Sequence, residues 1–323
     1  MKYIYLDWNV FQHIKHETVI EKKYINGIEF KEQVEKLSNK YIFPYSEAHL
    51  KDLAISDKED SIKEDLTFIE KISKNHVLGF IENEKIVIQQ NYINVADFFN
   101  EIKKSVKEEL NQTLDLNFET NNSYNILIDE MNNDDLLKPF IEQNNGVLDN
   151  QVFGNFLVKM YQEIDNPDYY KKFRIQVHQL KKKFDETPNT LLNQESNYYR
   201  ELIPFLNFII ENDINKMKKD FQKTMIAFLN IDKKRKFENL TVSEKIELAY
   251  SLLDYNEHFR DKINKKNRPT NMFRDIKHLH FASDAKYYIT EDDTTYKKSK
   301  FVAEVLGLNV KVLKMNEFIS KFR

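Results

Sequence analysis

The chain has 323 residues, of which 41% are hydrophobic and 13% aromatic, with a net charge of −3 and no cysteine. Such a length accommodates one large domain or two ordinary ones with a sizeable core. Absent cysteines exclude disulfides, zinc–thiolate sites, iron–sulfur clusters and thiol nucleophiles, and the near-balanced charge gives no chain-wide attraction to a polyanion. Five glycines and six prolines point toward helix, because both residues punctuate strands and turns.

In chain order, Lys2–Leu6 is a short run of β-formers ending at Asp7, followed by a helical turn or two over Asn9–Lys15. Asn26-Gly27 signals a turn, and Phe30, Val34 and Leu37 are spaced as one face of a helix over Glu29–Asn39. Tyr41–Tyr45 reads as a second strand, with Pro44 near its end. Ser46 is then suited to cap a helix whose Leu50, Leu53 and Ala54 share a face. Strand, helix, strand, helix at these lengths is a βαβ unit, which implies parallel strands.

The pattern changes beyond residue 57. Residues 60–75 read as helix, and Val77–Gln90 as a β-hairpin across Glu82-Asn83. From Val95 to Lys265 the signal is mainly amphipathic helix, including a capping box at Thr241 and Glu244. The longest apolar run, Ile203–Ile210, is interrupted by Asn207 and falls short of the ~20 residues that span a bilayer. The N-terminal apolar stretch stops at Asp7, too early for a signal peptide, so a cytoplasmic location is the expectation. Alternating α/β character returns after Pro269: a helix over Asp275–Ala285, a strand over Tyr287–Thr290, a helix over Lys297–Leu306, a strand over Asn309–Leu313 and a closing helix over Met315–Phe322. Both ends of the chain therefore build one α/β core, residues 1–56 with 266–323. Residues 57–265 form a mainly helical insertion domain.

Acids fall at corresponding places in that core. Asp7 ends the first strand, Glu47 opens the helix after the second, and Asp292 with Asp293 follows the third; Asp275 starts the helix leading into that third strand. Ligands bind at the carboxyl ends of strands in open α/β sheets. Asp284 lies nine residues beyond Asp275, about 13 Å away along a helix, and belongs to the opposite edge. Any one of these acids alone is more commonly a helix cap. Gathered in one cleft they repel, by about 4 kcal/mol per pair at 4 Å and an effective dielectric near 20, unless protons or a cation intervene. Oxygen ligands suit Mg²⁺ or Mn²⁺. Such an ion can activate a water, with a nearby acid as general base. His49, His278 and His280 accompany these stretches; His278 is one helical turn from Asp275, and His49 could orient Glu47.

The stretches YLDWNVF, PYSEAHLKDL and DIKHLHFASDAKYYITEDD resemble the successive motifs of PIN-domain nucleases. The resemblance covers residues 1–55 and 270–320, about a third of the chain. It implies a Rossmann-like three-layer α/β/α fold with a parallel sheet, here interrupted by the helical insertion, and a metal-dependent endonuclease that hydrolyses phosphodiester bonds, RNA favoured over DNA. By position, Asp7, Glu47, Asp275 and Asp292 match the catalytic and metal-binding acids, with Asp293 an alternative metal ligand. Asn9, Ser46, His49, His278 and Thr290 take supporting roles. A toxin or defence effector is the biological role this implies, with a homodimer or an antitoxin or defence-system partner left open. The alternative is a catalytically inactive PIN-like module that binds nucleic acid or protein.

Overall fold

The structure is a computed structural model that describes residues 2–54, 59–81, 85–109, 124–125, 135–148, 155, 159, 163, 165–186, 197–229, 236–264 and 268–323. The predicted hairpin turn at Glu82-Asn83 lies outside those residues. The chain forms two compact units: the first comprises Met1–Leu110, Asn197–Arg260 and Phe273–Arg323, the second Asn111–Ser196 and Asp261–Met272.

The first unit is built on a parallel sheet. Strand β1 (Ile4–Leu6) pairs in parallel with β8 (Tyr287–Ile289), which pairs in parallel with β9 (Lys311–Leu313). The register sets Tyr5 beside Tyr288 and Leu6 beside Ile289. Strands β1 and β8 are buried throughout, as their unbroken apolar and aromatic runs require of strands covered on both faces, whereas β9 exposes Lys311. The predicted second strand, Tyr41–Tyr45, is not continuous. It makes two isolated parallel bridges, Tyr3 with Ile42 and Tyr45 with Val77, around the break at Pro44, which has no N–H to donate. Its hydrogen bonds still join β1 on one side and β4 (His76–Ile81) on the other, through Ile4 N to Ile42 O at 2.9 Å and Leu78 N to Tyr45 O at 2.8 Å. Strand β5 (Lys85–Gln90) completes an antiparallel pair with β4, as the alternating sequence indicates.

Period-two alternation divides the sheet's faces. Ile4 and Leu6 join a core with Val10, Phe11, Phe30, Val34 and Phe318. These come from helices α1 (Trp8–Lys15), α2 (Gly27–Leu37) and the closing helix Met315–Phe322. Tyr3 and Tyr5 project oppositely. Tyr3 donates from its hydroxyl to Phe281 O at 2.6 Å, on the helix Pro269–Ala282. Helix α3 (Glu47–Ala54) follows the broken strand, and α4 (Glu59–Ser73) and α5 (Val95–Glu109) flank the β4–β5 pair in sequence.

The second unit holds a two-stranded ribbon, β6 (Tyr124–Asn125) with β7 (Val147–Leu148), and helices α6 (Lys138–Gln143) and α7 (Pro167–Glu186). Arg174 Nη1 donates to Asp261 O at 2.7 Å, and Thr270 Oγ1 donates to Asp165 Oδ1 at 2.7 Å. Helices α8 (Asn197–Ile210), α9 (Ile214–Leu229) and α10 (Val242–Leu253) belong to the first unit. The predicted capping box at Thr241 and Glu244 opens α10. Two helix starts differ most from expectation. Helix α11 (Pro269–Ala282) begins six residues before Asp275, because Pro269 is well placed in a first helical turn. Helix α12 (Asp293–Val305) begins at Asp293 rather than Lys297, since Asp292 supplies the cap. Helix α13 (Met315–Phe322) closes the chain. No described helix is long and apolar enough to cross a membrane.

Candidate functional site

Asp7 is fixed from three directions. Strand β1 ends at Leu6, so Asp7 leaves the sheet at its carboxyl edge and caps α1, with Trp8 N donating to Oδ1 at 2.7 Å. Asn9 Nδ2 donates to Oδ2 at 2.7 Å, and Thr290 Oγ1 donates to the same oxygen at 2.6 Å. Asn9 Oδ1 also accepts from Glu291 N at 3.0 Å, stitching the ends of β1 and β8 together. Asp7 is 5% exposed. Burial raises its pKa above the ordinary carboxylate value, partly offset by the nearby His278 charge and the Thr290 hydrogen bond. A carboxylate has about four acceptor sites, so three protein donors leave it capacity for one more ligand.

His278 occupies the space beside it. Its Nε2 lies 2.9 Å from Asp52 Oδ2 and 3.8 Å from Asp7 Oδ1. Arg274, one turn earlier on α11, places Nε 3.0 Å from Asp52 Oδ1. Burial disfavours a charged imidazole, but the Asp52 hydrogen bond and the charges of Asp7, Asp52 and Asp275 outweigh it, and the His278 pKa is raised. Asp7, Asp52 and His278 each offer a ligand atom, all within 4.8 Å of one another, and this group could hold a metal ion.

Behind His278 runs a buried hydrogen-bond chain. Its Nδ1 is 2.9 Å from Tyr5 Oη, which is 2.7 Å from Ser46 Oγ, which is 3.1 Å from His49 Nδ1. Ser46 N donates to His49 Nδ1 at 3.0 Å, so the His49 proton sits on Nε2, which donates to Leu6 O at 2.7 Å. Full burial, reinforced by the charge on His278, pushes His49 down to about 3. With His278 carrying both protons, each group in the chain donates to the next and ends on a backbone carbonyl. The two histidines therefore hold opposite charge states about 5.0 Å apart, ring centre to ring centre.

Asp275 joins from the same helix as His278, one turn earlier. It is half-buried, and its pKa is raised well above the ordinary value by desolvation and then by the charges of Asp7 and Asp292. Asp275 is thus within electrostatic reach of both Asp7 and Asp292. Asp292 is exposed and caps α12, its Oδ1 accepting from Thr295 N at 2.8 Å. In Asp7 and Asp292 the capping and clustering roles coincide, because a residue leaving a strand to start a helix sits at the sheet edge.

Of the expected metal ligands only Asp7 belongs to the group of potential ligand atoms; Asp275 and Asp292 lie outside it, as do Glu47 and Asp293. Glu47 is half-buried, with Oε1 3.7 Å from Lys51 Nζ on its own helix. Asp293 turns outward, its side chain 84% exposed, and pairs with Lys314 Nζ at 3.0 Å, which holds its pKa below the ordinary value. Asp284 is exposed and lies near Tyr3, just before β1; the Tyr3 pKa is raised by burial and then by the Asp284 charge, and Asp284 is therefore at the opposite edge from Asp7. Two residues that the sequence reading passed over carry weight. Asp52 lies three residues after His49, and Arg274 four before His278, so each shares a helix face with a candidate histidine. That spacing was the available signal. His280 faces elsewhere, with Nδ1 3.0 Å from Ser243 Oγ and its ring stacked on Phe80.

No protein-family model matches this chain, and it shows no significant similarity to a curated protein or to a solved structure.

Proposed function

We propose that the protein is a metal-dependent endonuclease with a PIN-like, Rossmann-like three-layer core, acting on RNA in preference to DNA. The observation that carries this reading is the group Asp7, Asp52 and His278 at the carboxyl end of β1, whose ligand atoms lie within 4.8 Å of one another, with Asp275 in electrostatic reach of Asp7. Carboxylates held this close favour a bound cation. The mixture of carboxylate oxygens with one imidazole nitrogen suits Mn²⁺ at least as well as Mg²⁺. Such an ion would supply charge neutralisation at a phosphate oxygen and a more acidic water. Asp7 and Asp52 would hold it, with His278 joining once its Nε2 proton is lost. Thr290 and Asn9 keep the Asp7 carboxylate in one orientation. Asp275, whose basicity is increased, takes the proton from the attacking water.

A second reading has its own observation. Asp52 is already ion-paired with Arg274 and His278, and Asp292 is already a cap, so the acids have internal partners without an ion. A non-catalytic nucleic-acid-binding or protein-binding module fits that state.

One assay separates them. The protein is incubated with single-stranded RNA, structured RNA and DNA in Mn²⁺, Mg²⁺ or EDTA, beside Asp7→Asn and Asp292→Asn. Mn²⁺- or Mg²⁺-dependent RNA cleavage is expected, falling at least about a hundredfold in Asp7→Asn. Cleavage that survives both substitutions, or its absence with every metal, would remove the nuclease reading.

A further inference from the structure

Between α1 and α2 the chain makes a small antiparallel ribbon, β2 (Val19–Ile20) with β3 (Ile25–Asn26), joined by the 3-10 turn Glu21–Lys23 and by Tyr24. The ribbon is held firmly at its base. Thr18 N donates to His13 O at 3.0 Å, and Gly27 N donates to Thr18 O at 2.8 Å. Gly27 approaches α1 so closely that a Cβ there would lie 2.2 Å from His13 O. Ile25 is buried in the core, and β3 packs against α13.

The tip of this clamped ribbon is a different kind of surface. Tyr24 is 74% exposed, and its φ of 56° is one that a tyrosine rarely adopts. Lys22 and Lys23 beside it are exposed, as are Ile20 and Ile28. A folded chain gains nothing by holding a large aromatic ring in water in a disfavoured backbone conformation. A ring presented in this way beside cations is suited to stacking on a base while the lysines meet phosphates. Glu21 is the one acid of this turn, so with Lys22 and Lys23 the tip carries a net positive charge beside its exposed ring.

We propose that the β2–β3 ribbon binds single-stranded nucleic acid, with Tyr24 stacking on an unpaired base and Lys22 and Lys23 contacting its phosphates. The inference rests on the nuclease reading for its ligand class, but the binding itself does not require catalysis. Charge selects a polyanion, and the ring selects an unpaired one, because a duplex hides its base faces in its own stack.

The test is fluorescence anisotropy of the full chain in EDTA, with a labelled single-stranded RNA and the same sequence as a duplex. Tyr24→Ala is expected to weaken single-strand binding about tenfold and to leave duplex binding unchanged. Tyr24→Phe keeps the ring and is expected to bind as wild type. The double variant Lys22→Ala/Lys23→Ala is expected to make single-strand affinity less steeply dependent on salt. All these side chains are exposed, so circular dichroism should show unaltered folds. Wild-type protein that binds no single strand overturns the proposal. So does single-strand affinity unchanged in Tyr24→Ala, or a Tyr24→Ala effect confined to self-association. Mn²⁺-dependent cleavage, assayed separately, keeps the two ideas apart. Tyr24-dependent binding without cleavage sinks the nuclease reading alone; cleavage together with single-strand binding indifferent to Tyr24 sinks the ribbon assignment alone.

Discussion

Two histidines separated by one tyrosine and one serine show how neighbouring groups of one type acquire opposite roles. His49 is enclosed between Ser46 and the Leu6 carbonyl, so protonation would strip it of its Nδ1 acceptor role. His278 faces Asp52 and Asp7, so deprotonation would remove a cation from between two anions. The pH consequences have opposite signs. With a folded pKa near 3, below its unfolded value, His49 costs stability as pH falls from about 6.5 toward 3, at most about 1.4 kcal/mol per pH unit. His278, with a raised folded pKa, contributes stability that is fully present below about 6.5 and is lost as pH rises through the folded value. The raised Asp7 acts in the same direction as His278: its contribution is present below the ordinary carboxylate value and lost above it. Imidazole ¹⁵N spectra of the metal-free protein should show His49 as the neutral Nε2–H form at pH 5, and His278 still doubly protonated above pH 6.5. An ordinary titration of either ring would contradict the hydrogen-bond chain. The spacing of Asp52 from His49 puts both on one face of α3, but charge and spacing alone do not show which face of α3 meets α11. The place of Asp7 was legible, because a polar residue directly after a buried strand lies at the sheet edge; Asn9 and Thr290 entered only as supporting positions of the resemblance, and both hydrogen-bond to Asp7.

At the scale of elements, the β2–β3 ribbon depends on one close approach. Asn26 caps α2 through its side chain, and Gly27 begins the helix against the α1 backbone. Gly27→Ala must push apart two backbone segments rather than a flexible side chain. The expected cost is at the upper end of overpacking penalties, about 3 kcal/mol, measured by urea unfolding with the midpoint lowered. A loss below about 0.5 kcal/mol would show that the ribbon can shift freely, contrary to the rigid tip argued above. The Asn26-Gly27 pair did mark a turn in the sequence. That its glycine serves a helix–helix contact could not be read, because the partner atom is the carbonyl of His13, fourteen residues earlier. The second strand illustrates the converse. Tyr41–Tyr45 has strand composition, yet only bridges form, since Pro44 interrupts the donors that a continuous ladder needs.

Across the first unit, the C-terminal α/β segment and the helices of residues 197–260 are joined by a buried ion pair. Lys298, fully buried on α12, places Nζ 3.1 Å from Asp254 Oδ1, just beyond α10. Asn256 Nδ2 donates to Phe208 O at 2.7 Å and Glu211 O at 2.9 Å, tying the end of α8 to the same loop. Lys298→Met removes the cation while leaving a buried carboxylate, which costs about 3–5 kcal/mol. Adding Asp254→Asn removes the charge imbalance and should recover part of that loss. Denaturant unfolding of the single and double variants checks this, and equal stability of wild type and Lys298→Met would show that the pair does not hold the unit together. Lys298 belongs to a lysine cluster, Lys297–Lys300, that composition alone would place in solvent. Burial of one member arises because successive helical residues point about 100° apart, so Lys298 faces away from Lys297 and Lys300, and α9 and α10 pack against α12.

By itself the sequence determined the local elements: parallel strands β1 and β8 ending in polar residues, amphipathic helices, the hairpin of β4 and β5, and the caps at Asp7 and Thr241. These follow from period, propensity and turn chemistry, which act within a few residues. It also indicated an acid rim. Only the tertiary structure decided which acids form it. Helix rotation brought Asp52 to His278 and left Glu47 beside Lys51; the start of α12 turned Asp293 toward Lys314 and away from Asp292's neighbours. Each outcome depends on which helix faces meet across distant segments, and that is fixed by packing of the whole core rather than by any local pattern.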